Sequence, residues 1–255
     1  MSRVDLGLSG RVFVVTGGSR GLGRAGASAL VAEGARVVVS SRSPGSIDDV
    51  VRALGDSACV GVVADNADED TPARLAAAAT GSFGRLDGAL ISVGGPPPGS
   101  VMEVQDEQWR AAFESVFLGA VRMARTLAAS MDAGGALAFV LSSSVRQPIA
   151  GLSISNGLRP GLAMVAKTMA DELGPQGIRF VGLLPGRIDT ERTRELEQLA
   201  DDPASERAAV VAAIPLRRYG RPEEFGAVAA FALSSAASYL TGAMIPVDGG
   251  ALRAL

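Results

Sequence analysis

A glycine-rich segment near the start of the chain, Val14–Gly23, has the composition of an anion-binding turn. It overlaps the end of an apolar run, Val12–Val15, that is typical of a buried strand, and a helical pattern begins near Leu22. Glycines let the backbone approach an anion closely, and the free N–H groups at a helix N-terminus point at it along the helix dipole. Its place between a strand and a helix favours a phosphate-binding loop over an ordinary strand–helix turn.

Apolar segments of strand length alternate with helical segments along the chain, and these elements must position the loop. The predicted strands are Arg11–Thr16, Arg36–Ser40, Cys59–Ala64, Leu86–Ser92, Ala136–Ser142, Ile178–Leu184 and Met244–Val247. The predicted helices are Leu22–Ala32, Ser46–Leu54, Asp68–Ala79, Glu107–Met131, a segment within Ser155–Leu173, segments of Thr190–Ala213, and Pro222–Leu233. Near-continuous apolar strands separated by helices indicate a parallel sheet covered on both faces. We therefore predict an α/β fold, a doubly wound parallel sheet of Rossmann type with about seven strands and a ligand crevice at their carboxyl ends.

Composition limits the number of domains that the chain can form and the classes of function that it can have. No proline-rich linker divides the 255 residues, so residues 1–255 are predicted to form a single domain. A net charge of −3 without a basic run argues against nucleic acid as a partner, and the interrupted apolar stretches argue against a membrane span. The stretch Met1–Asp5 lacks an apolar signal-peptide core, so we expect a cytoplasmic protein.

Histidine is absent and cysteine occurs once, which limits the chemistry further. The lack of histidine excludes a Ser-His-Asp triad and histidine metal ligands, and we predict no metal site. Cys59 cannot form an internal disulfide and is expected to pack as a small apolar residue.

Several motifs stand in a fixed order after the glycine loop. They are Thr16-Gly17-x-x-x-Gly21-x-Gly23, Asp65 after the third strand, Leu184-Pro185-Gly186 with Ile188 and Thr190, Tyr239-Leu-Thr241-Gly242, and Val247-Asp248-Gly249-Gly250. In these motifs the chain resembles the short-chain dehydrogenase/reductase family over nearly its full length. The resemblance implies an oxidoreductase with a nicotinamide cofactor. The predicted cofactor contacts come from this resemblance and from the charge argument below. They are Gly17, Ser19, Arg20, Gly21, Leu22, Gly23, Ser41, Arg42, Asp65, Asn66, Ser92, Gly94, Arg159, Pro185, Gly186, Ile188 and Thr190.

The residues after the second strand indicate which nicotinamide cofactor is bound. An NAD site places a carboxylate there, which holds the ribose hydroxyls and repels a 2′-phosphate. This chain has Ser40, Ser41 and Arg42 instead, and Arg20 in the glycine loop adds a second cation. Guanidinium and hydroxyl groups suit a phosphate, so we predict NADP(H). The alternative is that both arginines are solvated surface residues.

The family's catalytic pattern consists of an Asn, a Ser and a Tyr-x-x-x-Lys pair, and this chain departs from it. Ser142 aligns best with the family's Ser, although a slightly shorter loop would place Ser144 there. The usual spacing from Ser142 puts Ser155 at the Tyr position and Arg159 at the Lys position. A shift of one residue would put Asn156 in the Tyr place, and no register recovers a tyrosine.

These departures change the chemistry that the site can perform. The Asn position is Val116, which has no side-chain group to bind a water. A serine hydroxyl donates a hydrogen bond but is a poor proton source, while Arg159 is a fixed cation able to stabilise an oxyanion. Pro160 follows directly, so the helix is either bent there or begins later than in the family.

We therefore predict an NADP(H)-dependent oxidoreductase that acts on a small molecule, a carbonyl or a conjugated enone or enoyl compound. Its catalytic residues would be Ser142, Ser155 and Arg159, and the proton would come from solvent or substrate. The alternative is a catalytically degenerate NADP(H)-binding sensor or partner protein, or a non-redox enzyme on the same fold.

Three further expectations concern the surroundings of the site and the assembly. Arg146 and Gln147 either meet a substrate or belong to a solvated loop. The mixed charges over residues 187–195, where the family has a substrate lid, are typical of a solvated helix face. The long helices carry apolar positions and the small residues Gly119, Gly157 and Gly161, which suit packing between subunits, so we expect a homodimer or homotetramer.

Overall fold

The computed structural model describes residues 5–199 and 201–254. Its seven strands are β1 (Val12–Thr16), β2 (Arg36–Ser41), β3 (Cys59–Val63), β4 (Gly88–Ser92), β5 (Ala136–Val140), β6 (Arg179–Pro185) and β7 (Met244–Val247). They form one parallel sheet in the order β3-β2-β1-β4-β5-β6-β7. The predicted doubly wound sheet of Rossmann type is confirmed.

Helices cover both faces of this sheet. They are α1 (Gly21–Ala32), α2 (Pro44–Leu54), α3 (Thr71–Phe83), α4 (Asp106–Ala112), α5 (Gly119–Ala128), α6 (Ser153–Leu173), α7 (Glu191–Glu197), α8 (Pro203–Ala213) and α9 (Pro222–Leu233). One core cluster lies beneath α1, α2 and α9, and the other beneath α3, α5 and α6. All five residues of β1 are buried because the strand is covered on both faces, which explains its uninterrupted apolar sequence.

The chain order of the strands reverses beside β1. Val14 pairs with Val38 of β2 on one side and with Ala89 of β4 on the other. The connections leaving β1 and β4 therefore diverge to opposite faces and open a crevice at the carboxyl ends of the strands, where ligands bind in folds of this kind.

The long helix predicted over Glu107–Met131 forms as an unbroken helical run, but it contains a π-helical segment and ends three residues earlier than predicted. Between α4 and α5 the chain forms a π-helical segment, Phe113–Leu118, and α5 ends at Ala128. A π-helical turn adds one residue to an otherwise unbroken helix, and sequence patterns reveal that a long helix exists more reliably than its turn type or its end. At the end of this segment Gly119 lies against the Asn66 carbonyl, which a Cβ would overlap.

Helix α6 begins at Ser153, before Pro160, so the alternative of a later start is wrong. Its first turn is fixed by hydrogen bonds to neighbouring loops. The Ser153 hydroxyl donates to the Gly99 carbonyl at 2.9 Å, and the Asn156 amide pairs with both backbone groups of Ile149 at 2.8 and 3.0 Å. These bonds stabilise the turn that precedes the proline, whose ring leaves the Asn156 carbonyl without its helical N–H donor.

The small residues expected between subunits are used within the chain. A Cβ on Gly157 would lie 3.0 Å from the Trp109 ring, and one on Gly161 would lie 2.8 Å from the Phe117 ring. These two glycines therefore let aromatic side chains of the same chain pack on α6.

Within residues 5–199 and 201–254, no helix combines the length and the apolar character needed to cross a membrane. Residues 1–4, part of the stretch on which the expected cytoplasmic location rests, lie outside the described residues. Cys59 is buried as expected, and its burial raises the pKa of its thiol to about 11.

Candidate active site

The glycine loop forms an open cradle at the start of α1. Gly17 and Gly21 have φ values of 58° and 53°, a region that residues with a Cβ rarely adopt, and a Cβ on Gly23 would overlap the Gly17 carbonyl. The N-cap residue, Arg20, is extended and makes no side-chain capping hydrogen bond, and the first turn of α1 has no acidic residue. The first N–H groups of the helix are therefore left for an anion, so the loop fits a diphosphate.

Beside the cradle, three elements meet at Ser92, the last residue of β4. The Thr16 hydroxyl donates to the Ser92 carbonyl at 2.9 Å and accepts from the Ser92 N–H at 2.9 Å. The Asn66 amide donates to the same carbonyl at 3.2 Å. These bonds hold the ends of β1 and β4 and the loop after β3 together, which brings the predicted cofactor residues Asn66 and Ser92 next to the glycine loop.

The two arginines predicted to hold a 2′-phosphate are exposed. The side chain of Arg42, after β2, is 78% exposed and lies 3.9 Å from the Asp65 carboxylate. The side chain of Arg20 is 69% exposed and lies 3.9 Å from the Glu195 carboxylate. Ion pairs this long and this exposed are weak, so both guanidinium groups are available to a ligand.

Ser155 is paired with Ser144, and Ser142 has a different role. The Ser144 and Ser155 hydroxyl oxygens lie 3.2 Å apart, and both residues are buried. The Ser142 hydroxyl accepts from the Ser144 N–H at 3.1 Å and so caps the short 3₁₀ turn at residues 143–145. The structure therefore selects Ser144 over Ser142 as the partner of Ser155. Asn156 is turned away to Ile149, which supports the register that places Ser155 in the site.

Arg159 is buried, and within the described residues its guanidinium donates hydrogen bonds only to backbone carbonyls. Its Nη1 donates to Val140 at 2.9 Å and to Leu141 at 2.8 Å, and its Nη2 donates to Gly94 at 2.7 Å. Burial lowers the pKa of Arg159 to about 10, which leaves the side chain cationic at neutral pH. No carboxylate of the described residues pairs with it. The guanidinium thus clamps the end of β5 to the loop after β4, and its contact with a ribose remains a prediction.

Val116 lies in the π-helical segment and is 3% exposed, within the core cluster beneath α3, α5 and α6. Its side chain has no polar atom, so the expectation that this branch of the proton path is closed stays a prediction.

The loop after β6 completes the edge of the crevice. The Gly186 N–H donates to the Val247 carbonyl at 3.0 Å, and Ile188 forms a bridge with Gly220. Thr190 is the N-cap of α7, and its hydroxyl accepts from the Thr193 N–H at 3.3 Å. The segment Pro185–Thr190 therefore runs along the carboxyl edge of the sheet, as the sequence predicts.

Sequence reasoning missed Arg192, which belonged to a segment expected to be a solvated face. Its Nη2 donates to the Pro96 carbonyl at 2.9 Å across the cleft. Arg146, for which a substrate contact was left open, instead donates to the carbonyls of Met244 and Ala254 at 3.2 and 3.4 Å. It ties its loop to β7 and the C-terminal segment.

Comparison with known proteins gives the same assignment as the geometry. The model of a family described as enoyl-(acyl carrier protein) reductase matches residues 17–251. The cis-4-hydroxycyclohexanecarboxylate dehydrogenase of Sinomonas cyclohexanicum is 35% identical over 245 residues, which cover 94% of this chain and 96% of that protein. The chain belongs to the short-chain dehydrogenase/reductase family. It is therefore a member of a family of oxidoreductases.

Solved structures of short-chain dehydrogenases/reductases superpose over almost the whole chain. L-sorbose reductase of Gluconobacter frateurii, solved with NADPH and L-sorbose, has a TM-score of 0.92 and 30% identity. The match covers 99% of this chain and 100% of that one. A short-chain oxidoreductase of Pseudomonas aeruginosa, described as containing an atypical catalytic centre, has a TM-score of 0.90 and 26% identity, covering 98% and 100%.

Proposed function

We propose that this protein is an NADP(H)-dependent oxidoreductase that acts on the carbonyl, or the conjugated enone or enoyl group, of a small molecule. The observation that carries the proposal is the buried Ser144–Ser155 hydroxyl pair, 3.2 Å apart, at the same sheet edge as the glycine cradle. Two hydroxyl groups beside a fixed cation are suited to holding a substrate oxygen whose negative charge develops during reduction.

The preference for NADP(H) rests on charge at the end of β2. Ser41 and Arg42 stand where an NAD site has a carboxylate, and Arg20 adds a second exposed cation. Two guanidinium groups with weak partners favour a phosphate on the adenosine ribose. L-sorbose reductase, at 30% identity, was solved with NADPH, which supports this choice.

Ser144, Ser155 and Arg159 are better suited to stabilising negative charge on a substrate oxygen than to transferring protons. When bound, the nicotinamide supplies a hydride to the substrate carbon or takes one from it. One hydroxyl of the Ser144–Ser155 pair donates to the substrate oxygen while the other donates to its partner, and the Arg159 cation adds a favourable field. Because neither a serine nor an arginine gives up a proton near neutral pH, the proton comes from solvent or from the substrate. Reduction of a conjugated double bond suits such a site, since protonation at carbon can follow later.

A second candidate function is NADP(H) binding without redox turnover. It is favoured by the hydrogen bonds of Arg159, which within the described residues all go to backbone carbonyls. This is a structural role. The protein would then sense the cofactor, pair with an active relative, or use the fold for a non-redox step such as dehydration.

Calorimetric titration with NADPH and NADH, followed by a turnover assay, tests both candidates. We expect NADPH to bind more tightly than NADH. The assay then follows reduced-nicotinamide absorbance with a panel of ketones, acyl thioesters and enones. Steady loss of absorbance with any of them supports the oxidoreductase, whereas tight binding without turnover across the panel supports the second candidate. Failure of both cofactors to bind refutes both.

The expected homodimer or homotetramer also remains a proposal. Phe113, at the start of the π-helical segment, is 44% exposed, and Met164 on α6 is 64% exposed. Large apolar side chains at such exposure on neighbouring helices favour a second copy of the chain as their cover.

A further inference from the structure

A guanidinium from α7 lies across the mouth of the cleft, on the loop that follows β4. Besides the bond from its Nη2 to the Pro96 carbonyl, Arg192 has its Nη1 3.5 Å from the Glu195 carboxylate. A Cβ on Gly95 would lie 2.9 Å from the Arg192 Nε atom. The guanidinium therefore rests against the bare backbone of Gly95, and a side chain at that position would displace it.

A second guanidinium holds the same loop one residue earlier. The Gly94 carbonyl accepts from Arg159 Nη2 at 2.7 Å. Arg159 is 7% exposed, whereas the Arg192 side chain is 41% exposed. Of these two cations on consecutive parts of one loop, Arg192 is the one that a ligand entering from solvent can reach.

Arg192 shares its carboxylate partner with a second arginine. Glu195 is shared, with Oε1 3.9 Å from Arg20 and Oε2 3.5 Å from Arg192. Among the described residues, Glu195 is the one carboxylate that forms an ion pair with Arg192. Arg20 lies near the same carboxylate, so Glu195 offsets the positive charge of Arg192 only in part.

Arg192 also has unused hydrogen-bond donors. A guanidinium carries five N–H groups in a planar fork, and one of those of Arg192 donates to the Pro96 carbonyl. Such a fork matches the two oxygens of a carboxylate and binds them in a bidentate manner.

We propose that Arg192 is a specificity residue that receives a carboxylate group of the substrate, while the Ser144–Ser155 pair holds the reacting oxygen. The inference rests on the proposed function and narrows its substrate class to small molecules that carry both a carbonyl or enoyl group and a carboxylate. Arg192 takes part only in binding, so no bond is made or broken at it.

The test measures binding and needs no turnover. Protein saturated with NADPH is titrated with cyclohexanecarboxylate and with cyclohexanecarboxamide, which share a ring and differ in charge. We expect the carboxylate to bind about tenfold more tightly, or about 1.4 kcal/mol. In Arg192→Ala the preference should fall below about threefold, and Arg192→Lys should retain part of it because the charge remains.

Arg194→Ala is the matched control. It lies on the same helix, with its Nε 3.0 Å from Asp189 Oδ1, and its loss should leave the preference unchanged. Far-ultraviolet circular dichroism and NADPH affinity establish that each variant is folded. If wild-type protein does not bind NADPH, the proposed function fails first. If NADPH binds but the two probes bind equally or undetectably, or if Arg192→Ala keeps the preference, the role of Arg192 is overturned.

Discussion

The hydroxyl oxygens of Ser144 and Ser155 lie 3.2 Å apart in a buried setting, with the residues 4% and 5% exposed. Ser144 follows β5 and Ser155 belongs to the first turn of α6, so the contact joins two elements that converge at the carboxyl edge of the sheet. One hydroxyl donates to the other, and the second proton remains free to donate to a third oxygen. The pair therefore presents one directed donor to a substrate.

Ser144→Ala and Ser155→Ala are each expected to lower kcat for NADPH-dependent reduction by about tenfold to a hundredfold, because each breaks the pair that directs one donor at the developing oxyanion. The double variant should be little slower than either single one, since the two hydroxyls act as a unit. Ser143→Ala is the control, because the Ser143 hydroxyl makes no hydrogen bond within the part of the chain that the structure describes. Full additivity of the two losses in steady-state kinetics would refute the pairing.

The pH dependence of hydride transfer should be flat between about pH 6 and about pH 9, because no group at the reacting centre titrates there. Burial lowers the pKa of Arg159 only to about 10, so the side chain stays mostly protonated across this range and loses its positive charge at higher pH. Stopped-flow rates at saturating NADPH measure the profile. A Ser155→Tyr variant should gain an inflection, since the Arg159 cation lowers the pKa of a nearby phenol. An inflection within this range in the wild-type protein would contradict the assignment.

The sheet and the glycine loop could be predicted because local patterns determine them. The apolar run Val12–Val15 lies in β1, which pairs with β2 on one side and with β4 on the other. The change from apolar residues to glycines marks the end of this strand. The burial of Cys59 and the place of the segment Pro185–Thr190 followed in the same way from short apolar stretches and turn residues.

The rest depends on three-dimensional relationships that spacing does not encode. Counting from Ser142 assumed the loop length of relatives, whereas the capped 3₁₀ turn presents Ser144 instead. The bond from Arg192 to Pro96 joins residues 96 positions apart, and nothing in the charge pattern of α7 distinguishes that arginine from its neighbours. Arg159 could be placed by spacing, but its commitment to backbone carbonyls could not.

Arg42→Ala and Arg20→Ala should each weaken NADPH binding by about tenfold and leave NADH binding unchanged, because a charge-assisted bond to phosphate is lost in each. Calorimetric titration with both cofactors measures the two affinities. Arg24→Ala is the control, since Arg24 is an exposed arginine in the first turn of α1 whose side chain has no hydrogen bond or ion pair among the described residues. Equal losses for NADPH and NADH would show that these arginines do not recognise a 2′-phosphate.

Met164→Glu should reduce the assembly to a smaller species, because it places a charge on the exposed apolar face of α6. Sedimentation velocity at several concentrations measures the mass. The control is Val63→Glu, which changes another exposed apolar residue, 43% exposed, on the edge strand β3. An unchanged mass in Met164→Glu would exclude this face as the interface.

Arg159→Met tests whether the buried guanidinium holds the site together. The variant keeps an apolar stem but leaves the Val140, Leu141 and Gly94 carbonyls without this donor, two of them at the end of β5 and one in the loop after β4. Because each buried acceptor left unpaired costs about 1–3 kcal/mol, and relief of the buried charge offsets part of that, we expect a net loss of about 3 kcal/mol in the free energy of unfolding.

Urea unfolding measures that loss, with Arg42→Met as the control for the same substitution at an exposed position, where the change should stay within about 0.5 kcal/mol. Arg159→Lys separates charge from geometry, because an ammonium keeps the cation but cannot span three carbonyls in a fixed plane. It should therefore lose less stability than Arg159→Met yet still loosen the Gly94 loop, which hydrogen exchange at Gly94 and Gly95 would detect. If Arg159→Met were as stable as the wild-type protein, the hydrogen bonds of Arg159 between β5 and the loop after β4 would add nothing to the free energy of unfolding. The charge of Arg159 would then be its only contribution.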